Sequence, residues 1–227
     1  MSLPFDRQVI GENVKLIILL IFLILTVTLL PQQSNISKEV NYLSAYIVSN
    51  HFLDLRKNIG DISATDSLYK EALKLTENDL SEALLALMLT TVPYREVPVQ
   101  LPILKVMIAY PLISADSAIY SKKNENLPRY LFFDTRQDNY GDKDKLAHFF
   151  GSTFLSYESK FFDLGKLIGY FVESFEESFK VQSSVDVRDL DVNEYGRLFG
   201  TLLKSDKEIL PSSIILFRSL RNFRVIL

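Results

Sequence analysis

Asp144-Lys145-Leu146-Ala147-His148-Phe149-Phe150-Gly151 is the stretch whose reading decides the fold. Leu146, Phe150, Phe154 and Tyr157 return at helical spacing, the pattern of an amphipathic helix with one face in a core. Lys145, His148 and Ser152 share a second face, with Gly151 beside them and Asp144 one turn before His148. The spacing predicts a helix over 143–161. Two more follow, over 164–179 and 187–203. Leu164, Ile168, Phe171, Phe175 and Phe179 face inward on the first. Val192, Tyr195, Leu198 or Phe199, and Leu202 face inward on the second, with Asp186 as its N-cap.

Small and polar residues recur on one side of each of these helices. Gly165, Gly169 and Glu173 stand four apart; Asp189, Asn193, Gly196 and Gly200 stand four, three and four apart. Glycine inside a helix costs about 1 kcal/mol against alanine. A close helix–helix approach offsets that cost, so the glycine-bearing faces are expected to meet. Asp144, Lys145, His148, Glu173, Asp189 and Asn193 would then converge on one buried contact. Three readings stay open for it. It could be a hydrogen-bonded network that fixes helix register. It could be a ligand or catalytic site, with His148 as general base and Glu173 or Asp189 orienting it near neutral pH. One imidazole and two carboxylates, at His148, Glu173 and Asp189, could also hold a divalent metal. No motif calls for a metal, and no cofactor is expected.

Upstream, 16–30 is an unbroken apolar run relieved only by Thr26 and Thr28, and Pro31 ends it. From Val14 to Leu30 it reaches roughly 25 Å at 1.5 Å per residue, the short limit for a bilayer span. Leu29-Leu30-Pro31-Gln32 offers no small-x-small cleavage site, which favours an uncleaved anchor over a signal peptide. Arg7 and Lys15 precede the run, and no basic residue follows until Lys38. The positive-inside rule then places 1–13 in the cytoplasm, 14–30 in the membrane, and 37–227 as a mainly α-helical, bundle-like extracytoplasmic domain with its motif core at 142–204. In a Gram-negative bacterium that is a single-pass inner-membrane protein with a periplasmic C-terminal domain.

Composition narrows the classes further. The net charge is −3 and no Lys/Arg-rich run marks a phosphate track, so nucleic acid is not an expected partner. The chain has no cysteine, which excludes disulfides, thiolate metal sites and a cysteine nucleophile. Helices are expected at 37–58, with Ala45, Val48, Phe52, Leu55 and Ile59 inward and Gly60 as a stop, then at 65–75 and 77–90. Pro93, Pro98 and Pro102 break the pattern; 97–101 reads as extended and 102–121 as one or two helices. Residues 127–133 read as a short extended segment. A terminal helix begins after Pro211. Its Arg218, Arg221 and Arg224 suit an anionic membrane surface or an acidic protein partner, and the segment reads equally as a closing core helix with a solvated basic edge.

Asp144-Lys145-x-x-His148-Phe149, then a helix carrying Glu173, then Asp189-x-x-x-Asn193-x-x-Gly196 is similar to the motif of the VanZ-like and YfiM-like bacterial envelope proteins. The resemblance spans about 142–200. It implies a helical, membrane-associated envelope protein, one branch of that family being linked with glycopeptide-antibiotic resistance. It places Asp144, Lys145, His148, Glu173, Asp189, Asn193 and Gly196 on the family's polar motif. Glu158, Lys160, Glu176 and Glu177 keep these helices out of the bilayer. The expected function is an anchored envelope protein whose polar three-helix site serves binding, scaffolding or locking. The alternatives are an envelope hydrolase built on His148 and a subunit of a larger envelope complex.

Overall fold

The computed structural model describes residues 35–100, 107–158 and 187–221, all within one compact unit that begins at Asn35. The predicted anchor at 14–30, the predicted helix at 164–179 with Gly165, Gly169 and Glu173, the Asp186 cap and Arg224 lie outside the described residues. Among the described residues no helix is long and apolar enough to cross a membrane.

The unit is mainly helical. Its elements run α1 (Asn35–Val48), α2 (Asn50–Leu75), α3 (Leu80–Thr91), β1 (Glu96–Gln100), β2 (Met107–Pro111), α4 (Ser117–Asn126), α5 (Lys145–Glu158), α6 (Val187–Leu202) and α7 (Pro211–Arg221). The most extensive packing is α5 against α6, then α3 against α5; α1 joins α2, α3 and α4, and α7 lies on α2 and α6.

Several local expectations are corrected. The helix expected over 37–58 is two helices. The Ser49 hydroxyl donates to the Tyr46 carbonyl and accepts from the Phe52 N–H, which ends α1 and caps α2. This resets the phase, so Val40, Leu43 and Ile47 are buried while Ala45 and Ile59 face out. Gly60 does interrupt α2, at φ 79° and ψ 171°, a conformation open essentially to glycine alone. Thr76 closes α2, and Asp79 caps α3 with its carboxylate accepting from Glu82 N–H.

A β-hairpin replaces the helix expected in the first part of 102–121. Glu96–Gln100 pairs antiparallel with Met107–Pro111, Val97 opposite Tyr110 and Val99 opposite Ile108. Both strands are edges, so Pro98 is tolerated. The extended segment expected at 127–133 forms no strand. Its backbone donors go to carboxylates instead: Arg129 and Tyr130 N–H to Asp61 Oδ2 at 2.8 Å each, Leu131 and Phe132 N–H to Asp142 Oδ2 at 3.3 Å each.

The core centres on α5 and α6. Phe149 stacks on Phe199 with centroids 5.5 Å apart, and Tyr69 meets Phe199 edge-on. Phe149, Phe150 and Phe199 are essentially fully buried, each stabilising the fold by about 2 kcal/mol. Gly196 and Gly200 let α6 approach α5 at backbone distance. A Cβ at Gly196 would strike the Phe149 carbonyl and come within 2.9 Å of Ser152 Cβ. One at Gly200 would strike the Thr153 carbonyl and come within 3.0 Å of Ser156 Cβ. Neither obstacle is a flexible side-chain tip. Gly200→Ala is therefore expected to cost about 2 kcal/mol. By thermal unfolding that is a Tm fall of roughly 5 °C for a domain of this size; an unchanged Tm would show that the helices do not touch here.

Candidate functional site

Each polar residue of the site is placed by the helix it rides on. Lys145 opens α5 and His148 follows three residues later, so both side chains face α6. Asp189 sits in the first turn of α6, where a helix favours negative charge, and Asn193 lies one turn further. The sequence-predicted residues that are described come together. Lys145 Nζ is 2.5 Å from Asp189 Oδ1 and 3.1 Å from Asp144 Oδ2. His148 Nδ1 is 3.2 Å from Asn193 Oδ1, and the Ser152 hydroxyl donates to the same oxygen at 2.9 Å. His148 Nε2 stands 3.7 Å from Asp189 Oδ1. Lys145 is 3% exposed, and His148 and Asp189 8% each.

The electrostatics follow from that enclosure. Burial pushes the His148 imidazole below its ordinary value, and Lys145 adds to this; Asp189, Asp144 and the Asn193 hydrogen bond pull the other way. A neutral ring donating from Nδ1 to Asn193 fits this balance. The ammonium of Lys145 sits between the carboxylates of Asp144 and Asp189. Among the described residues no three His, Asp or Glu side chains form a metal-holding group.

Two tyrosines at this site escaped sequence reading. Tyr140 lies beside the carboxylates. Burial first, then the Asp144 charge and the Tyr94 hydrogen bond, raise its phenol. The Tyr94 and Tyr140 hydroxyls are 3.4 Å apart. Nothing periodic marks them, since both sit in irregular segments.

A second buried network abuts the first. Asp142, fully buried, takes Arg188 Nη2 at 2.6 Å. Arg188 Nε also reaches Asp134 at 3.2 Å. Arg218 binds both oxygens of Asp134, at 2.9 and 3.1 Å, and Asp191 at 2.6 Å, with its guanidinium 4.2 Å from the Phe132 ring centre. Burial alone would raise Asp134, but Arg218 and Arg188 hold it down at about 2. At 2% exposure Arg218 faces the interior and is not one of the exposed cations of α7. The signal was present, because Arg218 follows Ile215 by three and Ile214 by four and so shares their buried face. Arg221 donates to the Tyr195 hydroxyl at 3.1 Å.

No protein-family model, curated protein or solved structure matches the chain.

Removing one partner of a buried ion pair strands the other charge. Lys145→Met and Asp189→Leu are each expected to cost about 3 kcal/mol, and the double variant less than their sum, because the pair is then gone entirely. Chemical denaturation of the four proteins measures this, and strict additivity would show that the two groups do not interact. His148 adds a pH dependence. Its folded value lies below the unfolded value of about 6.5. Its contribution is complete above that value and is lost as pH falls towards the folded one. His148→Gln should therefore gain on the wild type in Tm as pH drops below about 6.5. A constant difference between the two curves would remove the imidazole from the acid response.

Proposed function

We propose that the chain is a membrane-tethered protein of the bacterial cell envelope with a binding or scaffolding role, in which the α5–α6 polar contact is a structural lock. One observation carries the lock: Lys145 is enclosed at 3% exposure with its ammonium held between Asp144 and Asp189. Its charge is spent internally rather than offered to a ligand. A general base must reach its substrate's proton within about 3 Å. His148 is turned into the helix contact, 8% exposed, and its Nδ1 is engaged with Asn193. The hydrolase reading is thereby disfavoured.

Support for the tether comes from the apolar run at 14–30 and the Arg7/Lys15 bias before it. The resemblance to VanZ-like and YfiM-like envelope proteins points the same way. The reading places 1–13 in the cytoplasm and the helical unit on the outer side of the bacterial inner membrane.

One observation favours the narrower reading of a subunit in a larger envelope complex. Leu216, Phe217 and Leu220 on α7 are 48%, 52% and 66% exposed. Their helix turns its buried face, Ile214, Ile215 and Arg218, inward.

Two measurements test the proposal. Full-length protein should sediment with membranes and resist extraction by high salt, whereas Leu20→Lys with Leu23→Lys should release it. In a deletion strain with an envelope-permeability defect, His148→Gln should restore function wherever it remains folded. A folded but inactive His148→Gln protein would replace the lock with a catalytic histidine.

A further inference from the structure

One ionisable side chain stands where a core residue belongs. Ile36, Glu39, Leu43 and Ile47 recur at spacings of three, four and four along α1, so they share a face. Leu43 and Ile47 on that face are fully buried, and Glu39 is 8% exposed. Its Oε2 is enclosed without a hydrogen-bond partner. Among the described residues no Lys or Arg stands at ion-pair distance from it. Lys145, Asp142 and Arg218, equally enclosed, each meet an opposite charge.

The helices packed against α1 supply no relief. From α3 come its N-cap Asp79 and Glu82, two acids whose charges oppose ionisation of Glu39. From α2 comes Glu71, which accepts from the Tyr42 hydroxyl at 2.7 Å and lies 3.9 Å from Lys74. The N-cap of α4 is Asp116, whose N–H donates to Asn41 Oδ1 at 3.2 Å. Lys123 on α4 is committed to the Thr90 and Val92 carbonyls. Lys38, the one cation of α1, is exposed. A carboxylate in such a place loses its hydration and gains no counter-charge, so the enclosed state selects the neutral acid. Burial first, then Glu82, raise the carboxyl to about 7. The helix can answer locally. Within the described unit the chain joins α1 at one end alone, through the Ser49 turn. It can therefore lift from α3 while α3, α5 and α6 stay packed.

We propose that Glu39 is a proton-operated latch: the neutral acid seats α1 on α3, and ionisation releases α1 while the rest of the unit stays folded. Release uncovers the apolar stripe of Val40, Leu43 and Ile47. A released carboxyl returns to about 4.3, so the seated state holds an extra proton between about 4.3 and 7. Seating is strongest below that window, weakens about tenfold per pH unit through it, and levels off above it. The latch uses no residue of the α5–α6 lock and does not depend on the tether.

Amide hydrogen exchange of the full chain in neutral detergent, followed from pH 5 to pH 8 and corrected for the intrinsic pH dependence of exchange, tests this. Protection over 40–47 should fall about a hundredfold, and α5 and α6 should not follow it. Glu39→Gln keeps the shape and removes the titration. Its α1 protection should stay level with pH and exceed that of the wild type at pH 8 by at least tenfold. Glu39→Leu, which extends the apolar stripe, is read in the same way. Glu82→Gln removes the facing charge and should move the transition to lower pH. A level wild-type profile overturns the proposal. So does a Glu39→Gln profile that falls as the wild type's does. A loss of protection shared in equal measure by α5 and α6 would assign the carboxyl to the whole fold and end the latch.

Discussion

The first five residues of α6 include Arg188, Asp189 and Asp191, and a helix fans three such residues out in different directions. Each meets an opposite charge on a different element. Arg188 reaches Asp142 and Asp134 in the segment before α5, Asp189 reaches Lys145 on α5, and Asp191 reaches Arg218 on α7. A register shift of one residue would bring Arg188 to the position facing Lys145 in one direction, or Asp189 to the position facing Asp142 in the other, in either case placing like charges together out of water. Gly196 and Gly200 already restrict the register, because a side chain shifted into either place would strike the α5 backbone. The charge order adds orientation at the start of α6, where no glycine contact reaches. Buried ion pairs are weak sources of net stability, so orientation is the better account of why this turn is ionic.

The same carboxylates hold the irregular part of the chain. Residues 129–132 form neither helix nor sheet, yet their backbone N–H groups are satisfied by Asp61 and Asp142. Asp142 also binds Arg188, so one side chain couples this segment to the start of α6. Asp61 ties the segment to the α2 kink. Lys123 plays a comparable role at α3. Its ammonium donates to the Thr90 and Val92 carbonyls at 2.8 and 2.9 Å, closing the end of that helix where cations are favoured. Isolated charged residues thus do the work that regular hydrogen-bond ladders do elsewhere.

This explains what the sequence could reveal and what it could not. The α5 and α6 helices were legible because period and glycine spacing are local signals, and Gly196 and Gly200 announced the close contact directly. Asp144, Lys145, His148, Asp189 and Asn193 were legible as one cluster for the same reason. Their partnering was not, since Lys145 choosing Asp189 depends on the pitch between two helices more than forty residues apart in the chain. The hairpin was hidden because its strands carry prolines and no turn motif. The Ser49 break was hidden because the apolar period runs on past it with only a change of phase. Arg218 was misplaced by composition: three arginines in one helix read as a basic surface, while the position of one of them among Ile214 and Ile215 said otherwise.

Two buried groups on separate helix pairs answer pH in opposite senses. On α1, burial and then the hydrogen bond and charge of Glu82 raise the Glu39 carboxyl to about 7. A carboxyl raised in the folded state supports the fold fully below its unfolded value of about 4.3, and that support drains away as pH climbs to about 7. His148, between α5 and α6, is lowered, so its support grows as pH rises towards about 6.5. The two slopes overlap in the mildly acidic range and oppose each other there. Neither contact touches the other, yet each flattens the response that the other would impose alone. The α1–α3 and α5–α6 contacts are therefore not loosened together by a single change in acidity.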